Sequence, residues 1–450
     1  MFDWPFLMIE RFATADSRRT TRVAELAPHW LIRKVARAKL VRTLQHVWRN
    51  SPYQRERWRD AGIRRGDLGA PDVLRHIPFC NPKELAATPE AFYCVPPDQF
   101  TDVLTTSGTS GTSKRIYFTE EDVEHQTNMM AASFRRLPGA SRMMVVFSPT
   151  YRPASTPDAF VKRGSQKAGM FGLVASPHWP LSTHVEIIRD YHIDTIIATP
   201  TGVHKGTLEA GGNVRALGIR YFLLSAEPWS EDLRTLIEDA WGAKALDAYG
   251  CNESGGGIAS ECIAQDGLHV SETDFWVEIV DHETGEPVED GTEGEVVFTT
   301  LSRRGMPLVR YRIGDIASFR VDEGRCACGL SLRKLSRIRG RADNVIILAG
   351  GFKIYPDEFD HAILAVPGVT DYQLIIEKDA HRNRLSLVVE SDLDGDELAT
   401  TMTQALRKMK QVVDGVDVYD ILTLGSFESV PRGSLSEGRN KTPRVLDRRP

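Results

Sequence analysis

Three short, uninterrupted apolar runs place the tightest limit on what this chain can become. They are Met144-Val145-Val146-Phe147, Thr195-Ile196-Ile197-Ala198 and Tyr221-Phe222-Leu223-Leu224. A strand with one wet face shows a polar residue at every second position. These runs do not, so each predicts a strand covered on both faces. Segments of helix length and mixed polarity separate them, and strands joined through helices pair in parallel. The expected fold is therefore α/β, with mostly parallel sheets in a large N-terminal part. The length of 450 residues allows two or three domains, and a hydrophobic content of 41% supports a sizeable core. Upstream, Leu31, Val35, Leu40, Leu44 and Val47 recur at spacings of three to five within residues 20–60. They predict a helix packed on the larger body.

From about residue 268 the texture changes. Phe275-Trp276-Val277-Glu278-Ile279-Val280 and Glu295-Val296-Val297-Phe298-Thr299 read as strands around a turn at 281–286, a small β-rich subdomain. Beyond Arg341 the chain reads as a separate α+β module: Val345 to Leu348 and Leu385 to Val389 are strand-like, and 396–413 is helix-like. The expected division is an N-terminal domain over 1–342 and a small C-terminal domain over 343–450.

Charge and composition exclude several classes. Lys plus Arg number 56 against 61 Asp plus Glu, a net charge of −5, which excludes a protein that binds nucleic acid mainly through its overall charge. No apolar stretch approaches the ~18 residues of a membrane span. The beginning, MFDWPFLMIERF, has Asp3 where a signal peptide carries a basic residue, and it lacks a long apolar core. Six cysteines are too few for a disulfide scaffold, so the expected setting is a reducing cytoplasm.

The sharpest local signal is Thr105-Thr106-Ser107-Gly108-Thr109-Ser110-Gly111-Thr112-Ser113-Lys114. Backbone amides and hydroxyls on a flexible loop can donate to a polyphosphate while the lysine neutralises charge. The spacing is not that of a G-x-x-x-x-G-K-[ST] loop, because Gly108 and Gly111 stand three apart and Lys114 follows Ser113. On these residues alone, a solvent-exposed linker explains the segment equally well.

Four further segments follow in a set order: Ser225-Ala226-Glu227-Pro228-Trp229, Tyr249-Gly250-Cys251-Asn252-Glu253, Arg310-Tyr311-Arg312-Ile313-Gly314-Asp315 and Gly340-Arg341-Ala342-Asp343. Together with the loop, they resemble the motifs of the adenylate-forming superfamily, which includes acyl-CoA synthetases, adenylation domains and luciferases. Pro52 to Arg57, Gly267-Leu268-His269 and Cys326-Ala327-Cys328-Gly329 are similar to the phenylacetate–CoA ligase branch. The resemblance implies ATP-dependent adenylation of a carboxylic acid, expected to be aromatic, with pyrophosphate release and transfer to CoA. It assigns the phosphate cradle to Ser107, Gly108, Thr109, Ser110, Gly111, Thr112 and Lys114, and the support of Mg²⁺ to Glu253. Tyr249, flanked by Ala248 and Gly250, would stack on adenine. Ser225, Ala226, Glu227 and Pro228 would form the other wall, with Asn252 close by. Asp315 would accept from both ribose hydroxyls, Arg341 would donate to the ribose, and Asp343 would be the hinge of a mobile C-terminal domain.

The adenylation lysine is assigned to Lys441. The branch reads Ser-Glu-Gly-Lys where this chain has Ser436-Glu437-Gly438-Arg439-Asn440-Lys441. Arg439 is the other reading, and Lys441 is preferred because an ammonium reaches two anionic groups as a point charge. Cys262, His269, Cys326 and Cys328 supply the ligands of a Cys3His zinc site, and related proteins carry a similar set. No open position is left, so the zinc would be structural. Cys80 and Cys94 read as core. His178-Trp179-Pro180 is a candidate wall of the acid site, and the charges at Asp158, Lys162 and Arg163 read as a helix surface.

Two readings compete with CoA-thioester formation. The adenylate could pass to a carrier protein, an amine or another nucleophile, or the activated acid could be a non-carbon acid. A scaffold that binds nucleotide without turnover is the third class, against which Lys114, Glu253, Asp315 and Arg341 argue together. A homodimer is compatible with all three.

Overall fold

The computed structural model describes residues 27–105, 114–147, 157–211, 214–321, 324–342, 345–348, 352–356, 358–393, 395–435 and 444–449. The chain divides into two compact units. One comprises residues up to Ala175 with Leu246–Arg337, the other Ser176–Ala245 with the chain from Ile338 on.

Helix α1 (His29–Asn50) buries Ile32, Ala36, Leu40, Leu44, Val47 and Trp48. At its start the buried stripe runs through Ile32 and Ala36 rather than the expected Leu31 and Val35, which are only half-buried. Nor does one helix continue to residue 60. Ser51 accepts from the Gln54 amide and Pro52 takes the first helical position, so a new helix, α2 (Pro52–Asp60), begins. Strands β1 (Phe100–Thr105) and β2 (Arg115–Thr119) form an antiparallel ribbon. Thr119 and Asp122 then cap α3 (Glu120–Phe134) reciprocally.

Strand β3 (Arg142–Val146) and, after α4 (Pro157–Lys167), β4 (Phe171–Val174) pair in parallel. On α4, Arg163 and Lys167 pair with Glu120 and Glu124. Asp158 is buried, a correction to its reading as a surface residue, whereas Lys162 and Arg163 keep their partial exposure.

In the second unit, β5 (Thr195–Ala198) and β6 (Tyr221–Leu224) are parallel and buried at every position, as their unbroken apolar runs require. Between them lies α5 (Pro200–Glu209), and α6 (Glu231–Trp241) follows β6. The fold is thus mixed α/β with a parallel-rich sheet. Strand β7 (Lys244–Cys251) leads back into the first unit, where β8 (Gly256–Ser260), β9 (Leu268–Val270) and, much later, β13 (Lys334–Leu335) extend an antiparallel series. Strands β10 (Phe275–Val280), β11 (Gly294–Thr300) and β12 (Tyr311–Ala317) form the expected β-rich part. Its turn is built by Asp281, which accepts from the Thr284 amide at 2.8 Å.

The chain from Ile338 carries a four-stranded sheet of β14 (Asp371–Asp379), β15 (Arg382–Glu390), β16 (Leu422–Val430) and β17 (Val445–Asp447), in the order β16-β15-β14-β17. A helix over Gly395–Leu406 covers it, while the expected helical stretch 396–413 breaks after Leu406. Among the described residues, no helix is long and apolar enough to cross a membrane.

A polar anchor ties α1 and α3 to the start of β10. His125 and Asp274 are 2.7 Å apart, Lys39 is 3.9 Å from the same carboxylate, and Lys39 donates to the Thr273 carbonyl at 2.8 Å. Burial opposes the charge on Asp274, yet hydrogen bonding from His125 and the charges of His125 and Lys39 hold its carboxyl down to about 2. A carboxyl depressed in the folded state stabilises the fold above its unfolded value near 4, and that contribution is lost as pH falls toward 2. Asp274→Asn is expected to cost about 2 kcal/mol at neutral pH. In urea unfolding, the gap to the unsubstituted protein should shrink between pH 4 and 2; a gap constant with pH would contradict this assignment.

Candidate active site

The site grows from the hairpin between β7 and β8. Gly250 has no alternative there, since a Cβ would meet the Gly256 carbonyl oxygen at 1.9 Å. The hairpin shifts register between Tyr249 and Gly250, so the chain leaves β7 in a tight turn that carries Glu253. Ser254 closes this turn by accepting from the Cys251 amide at 3.1 Å and donating to the Cys251 carbonyl at 2.8 Å.

The Glu253 side chain is buried and bound on two sides. Lys114, immediately before β2, forms an ion pair with Oε1. The Tyr311 hydroxyl donates to the same oxygen at 2.9 Å. Burial works against the carboxylate, but the charge and hydrogen bond of Lys114, with help from Tyr311, hold its pKa below the usual range. Glu253 is therefore a buried acid kept ionised. Behind it, Arg303 donates to the carbonyls of Glu253 and Ser254, both at 2.6 Å, and lies over the Phe118 ring at 4.7 Å. Burial brings the Arg303 guanidinium down to about 10.

Strand β12 supplies a second contact one turn of chain away. The Tyr249 hydroxyl donates to Asp315 at 3.0 Å, and Tyr249 is otherwise buried. The Arg-Tyr-Arg segment divides at the start of β12, with Arg310 just before the strand at a left-handed φ of 49°. Tyr311 faces Glu253, while Arg310 and Arg312 bind Glu278 and Glu295 and lie over Phe79. Asn252 donates to the Thr105 carbonyl at 3.0 Å, tying the end of β1 to the Glu253 turn. Ala248 is half-buried on β7, opposite Ser260. The first unit thus brings together Lys114, Glu253, Asn252, Tyr249 and Asp315.

The remaining expected residues fall elsewhere. In the second unit, Ser225 donates its amide to Ala198, and Ala226 takes a left-handed φ of 76°. Glu227 accepts from the Thr201 amide and hydroxyl at 2.6 and 2.5 Å, at the amino end of α5; Pro228 follows, half-buried. Arg341 is half-buried in a two-residue strand. His178 and Trp179 are exposed. Ser107, Gly108, Thr109, Ser110, Gly111, Thr112, Asp343, Arg439 and Lys441 lie outside the described residues. Tyr311 stood inside a quoted motif without a role, and Arg303 stood in none. A buried arginine aimed at backbone carbonyls leaves no spacing signal in a sequence.

A second cluster joins Cys262, His269, Cys326 and Cys328, whose ligand atoms all lie within 4.8 Å of one another. Cys262 and Cys326 sulfurs are 3.8 Å apart, and Cys328 sulfur is 3.4 Å from His269 Nε2. The strand β9 presents His269, and a turn with Gly329 at φ 88° lets two cysteines one residue apart face the same point. Burial foremost pulls the imidazole of His269 down to about 4, which keeps it neutral. Cys80 and Cys94 are buried, as expected.

Residues 27–302 match the model of the AMP-binding enzyme family, and residues 351–449 match that of the AMP-binding enzyme C-terminal domain. The chain is similar to phenylacetate-coenzyme A ligase from Thermus thermophilus, with 29% identity over 94% of this chain and 98% of that protein. It is also 28% identical to the Escherichia coli phenylacetate-coenzyme A ligase, over 90% of this chain and 92% of that one. Among solved structures, 2-hydroxyisobutyryl-CoA ligase in the postadenylation state, in complex with 2-HIB-AMP, has the same fold. Its TM-score is 0.80 at 21% identity, over 94% of this chain and 91% of that one. The same ligase in the thioesterification state gives 0.67 at 22% identity, over 95% and 91%.

Arg303 holds two otherwise buried carbonyls, so Arg303→Gln is expected to lower unfolding free energy by about 3 kcal/mol. Arg303→Lys should recover only part, since one ammonium does not match a two-pronged fork. Urea unfolding of both variants checks this. Equal, unperturbed stabilities would refute the clamp.

Proposed function

The chain belongs to the AMP-binding enzyme family, and we propose that it is an AMP-forming acid ligase that adenylates an aromatic carboxylic acid and passes the acyl group to coenzyme A. The observation that carries this reading is the buried Glu253 carboxylate, kept ionised by Lys114 beside the end of the Thr105–Lys114 segment. Joining a carboxylate to the α-phosphate of ATP brings anions together, and the chemistry is chiefly positioning and charge neutralisation. Lys114 and the 107–112 loop would take the β- and γ-phosphates. Glu253 would support Mg²⁺, drawing Lys114 off its carboxylate toward phosphate as ATP arrives. Asp315, now accepting from Tyr249, would accept from the ribose hydroxyls instead, which frees the Tyr249 ring to lie against adenine. Ser225 to Pro228 and Arg341 complete the nucleotide contacts in this reading.

The proposed domains are 1–342 and a mobile 343–450, hinged at Asp343, with Lys441 neutralising the attacking carboxylate and α-phosphate. The C-terminal family match over 351–449 supports a separate module there. The aromatic acid and the CoA acceptor rest on the similarity to phenylacetate-coenzyme A ligases. The test is mass spectrometry of products from a panel of aryl acids with ATP, Mg²⁺ and CoA. AMP, pyrophosphate and an aryl-CoA are expected together. Nucleotide binding without pyrophosphate release for any acid would refute the reading, and adenylate formed without thioester would reassign the acceptor.

The four-residue cluster fits a structural zinc ion. Zinc–sulfur bonds of about 2.3 Å in a tetrahedron set sulfurs about 3.8 Å apart, the separation found between Cys262 and Cys326. Cys262, His269, Cys326 and Cys328 would fill all four positions, so the ion would cross-link β9 to the 326–329 turn and take no part in turnover. Three thiols kept reduced suit a cytoplasmic setting. About one zinc per chain is expected by elemental analysis, and Cys326→Ser should lower metal content and thermal stability together. Metal-free protein of unchanged stability would sink the assignment.

A further inference from the structure

The second unit holds a buried charge cluster that the nucleotide site does not use. Asp371 on β14 and Glu390 on β15 are directly paired across the two strands, and both are almost wholly buried. Two carboxylates facing each other out of water repel strongly. Lys205 on α5 lies between them, 3.0 Å from Asp371 and 3.1 Å from Glu390. Burial disfavours its charge, but the two carboxylates more than offset this and raise its pKa. The helix that carries it is fixed independently. Thr199 and Glu227 bind its amino end, and Trp241 donates to Thr207 at 2.7 Å.

The same two carboxylates hold both flanks of residues 436–443. Glu390 accepts from the Leu435 amide at 2.9 Å and from the Thr370 hydroxyl at 3.2 Å. Asp371 pairs with Arg444, which also donates to the Tyr372 carbonyl at 2.8 Å, lies over the Tyr372 ring at 4.4 Å and comes within 3.9 Å of Asp360. Leu435 and Arg444 are the residues on either side of the stretch that contains Lys441. One ammonium from α5 therefore bridges the two groups to which both ends of that stretch are tied, and Arg444 supplies the second positive charge.

We propose that Lys205 is a positioning residue for acid activation: by bridging Asp371 and Glu390 it fixes Leu435 and Arg444, and so sets where the chain bearing Lys441 begins and ends. This rests on the adenylation reading and on Lys441 as its lysine. Lys205 touches no reacting atom. Its effect is confined to the step that needs Lys441 and is absent from the step that does not.

The experiment compares Lys205→Met and Lys205→Arg with the unsubstituted protein in the two half-reactions, with phenylacetate as the probe acid. Acid-dependent pyrophosphate release reports the first, and thioester formation from supplied phenylacetyl adenylate and CoA reports the second. Lys205→Met should slow pyrophosphate release about tenfold or more and leave thioester formation unchanged. Lys205→Arg, which keeps the charge, should recover most of the loss. The second half-reaction also reports that the variant is folded. Equal losses in both half-reactions, or no loss in either, would overturn the positioning role. If the unsubstituted protein releases no pyrophosphate with phenylacetate or any other aryl acid of the panel while Lys205→Met remains stable, the adenylation reading fails and this role falls with it.

Discussion

Everything around the proposed nucleotide site depends on one buried ion pair, Lys114 with Glu253. Taking two charges out of water costs several kcal/mol each, and their attraction recovers that cost only when hydrogen bonds complete the set. The chain supplies them: Tyr311 to the carboxylate, Arg303 to the carbonyls of the same turn, and Asn252 from the turn to β1. Removing either charge leaves the other stranded. The arrangement also explains the order of residues in the turn. Gly250 must lack a side chain because Gly256 crosses it, Ser254 closes the loop, and Glu253 is the position left pointing inward.

In the proposed reading, this ion pair is the resting state that an incoming polyphosphate would open. Lys114 is half-buried and Glu253 is buried, so in the proposed reading Lys114 would be drawn toward phosphate before Glu253 meets magnesium. The Tyr249–Asp315 hydrogen bond has the same character. In both, one group proposed to bind nucleotide keeps the other oriented until the ligand replaces it. The second unit uses its buried charges differently. Lys205, Asp371 and Glu390 connect a helix of the 176–245 segment to Leu435 and Arg444, residues distant from it in sequence.

Much of this was legible in the residues. Short apolar runs marked β5 and β6 to the residue, because full burial on both faces selects apolar side chains, with Thr195 the one buried polar position. The five ordered motifs marked Lys114, Glu253, Tyr249 and Asp315, and four cysteine and histidine positions marked a cluster that the fold brings within 4.8 Å. Other features were hidden for physical reasons. The stripe of α1 drifts by one residue because helix periodicity tolerates either Leu31 or Ile32 until a partner surface selects one. Asp158 read as solvent-facing because a charge on a helix usually is, yet this one is buried. Arg303 and Lys205 carry no motif at all. Their meaning lies in which carbonyls and carboxylates the fold delivers to them.

The central claim is that the ionised Glu253 carboxylate supports the magnesium ion on ATP. The direct measurement is the magnesium dependence of acid-dependent pyrophosphate release in Glu253→Gln against the unsubstituted protein. Glutamine keeps the size and a hydrogen-bonding oxygen but removes the charge. The account predicts that half-saturating magnesium rises about tenfold or more, with a lower rate at saturation. An unchanged magnesium dependence, with the variant folded and turning over, would contradict it and leave the ion pair a purely structural element.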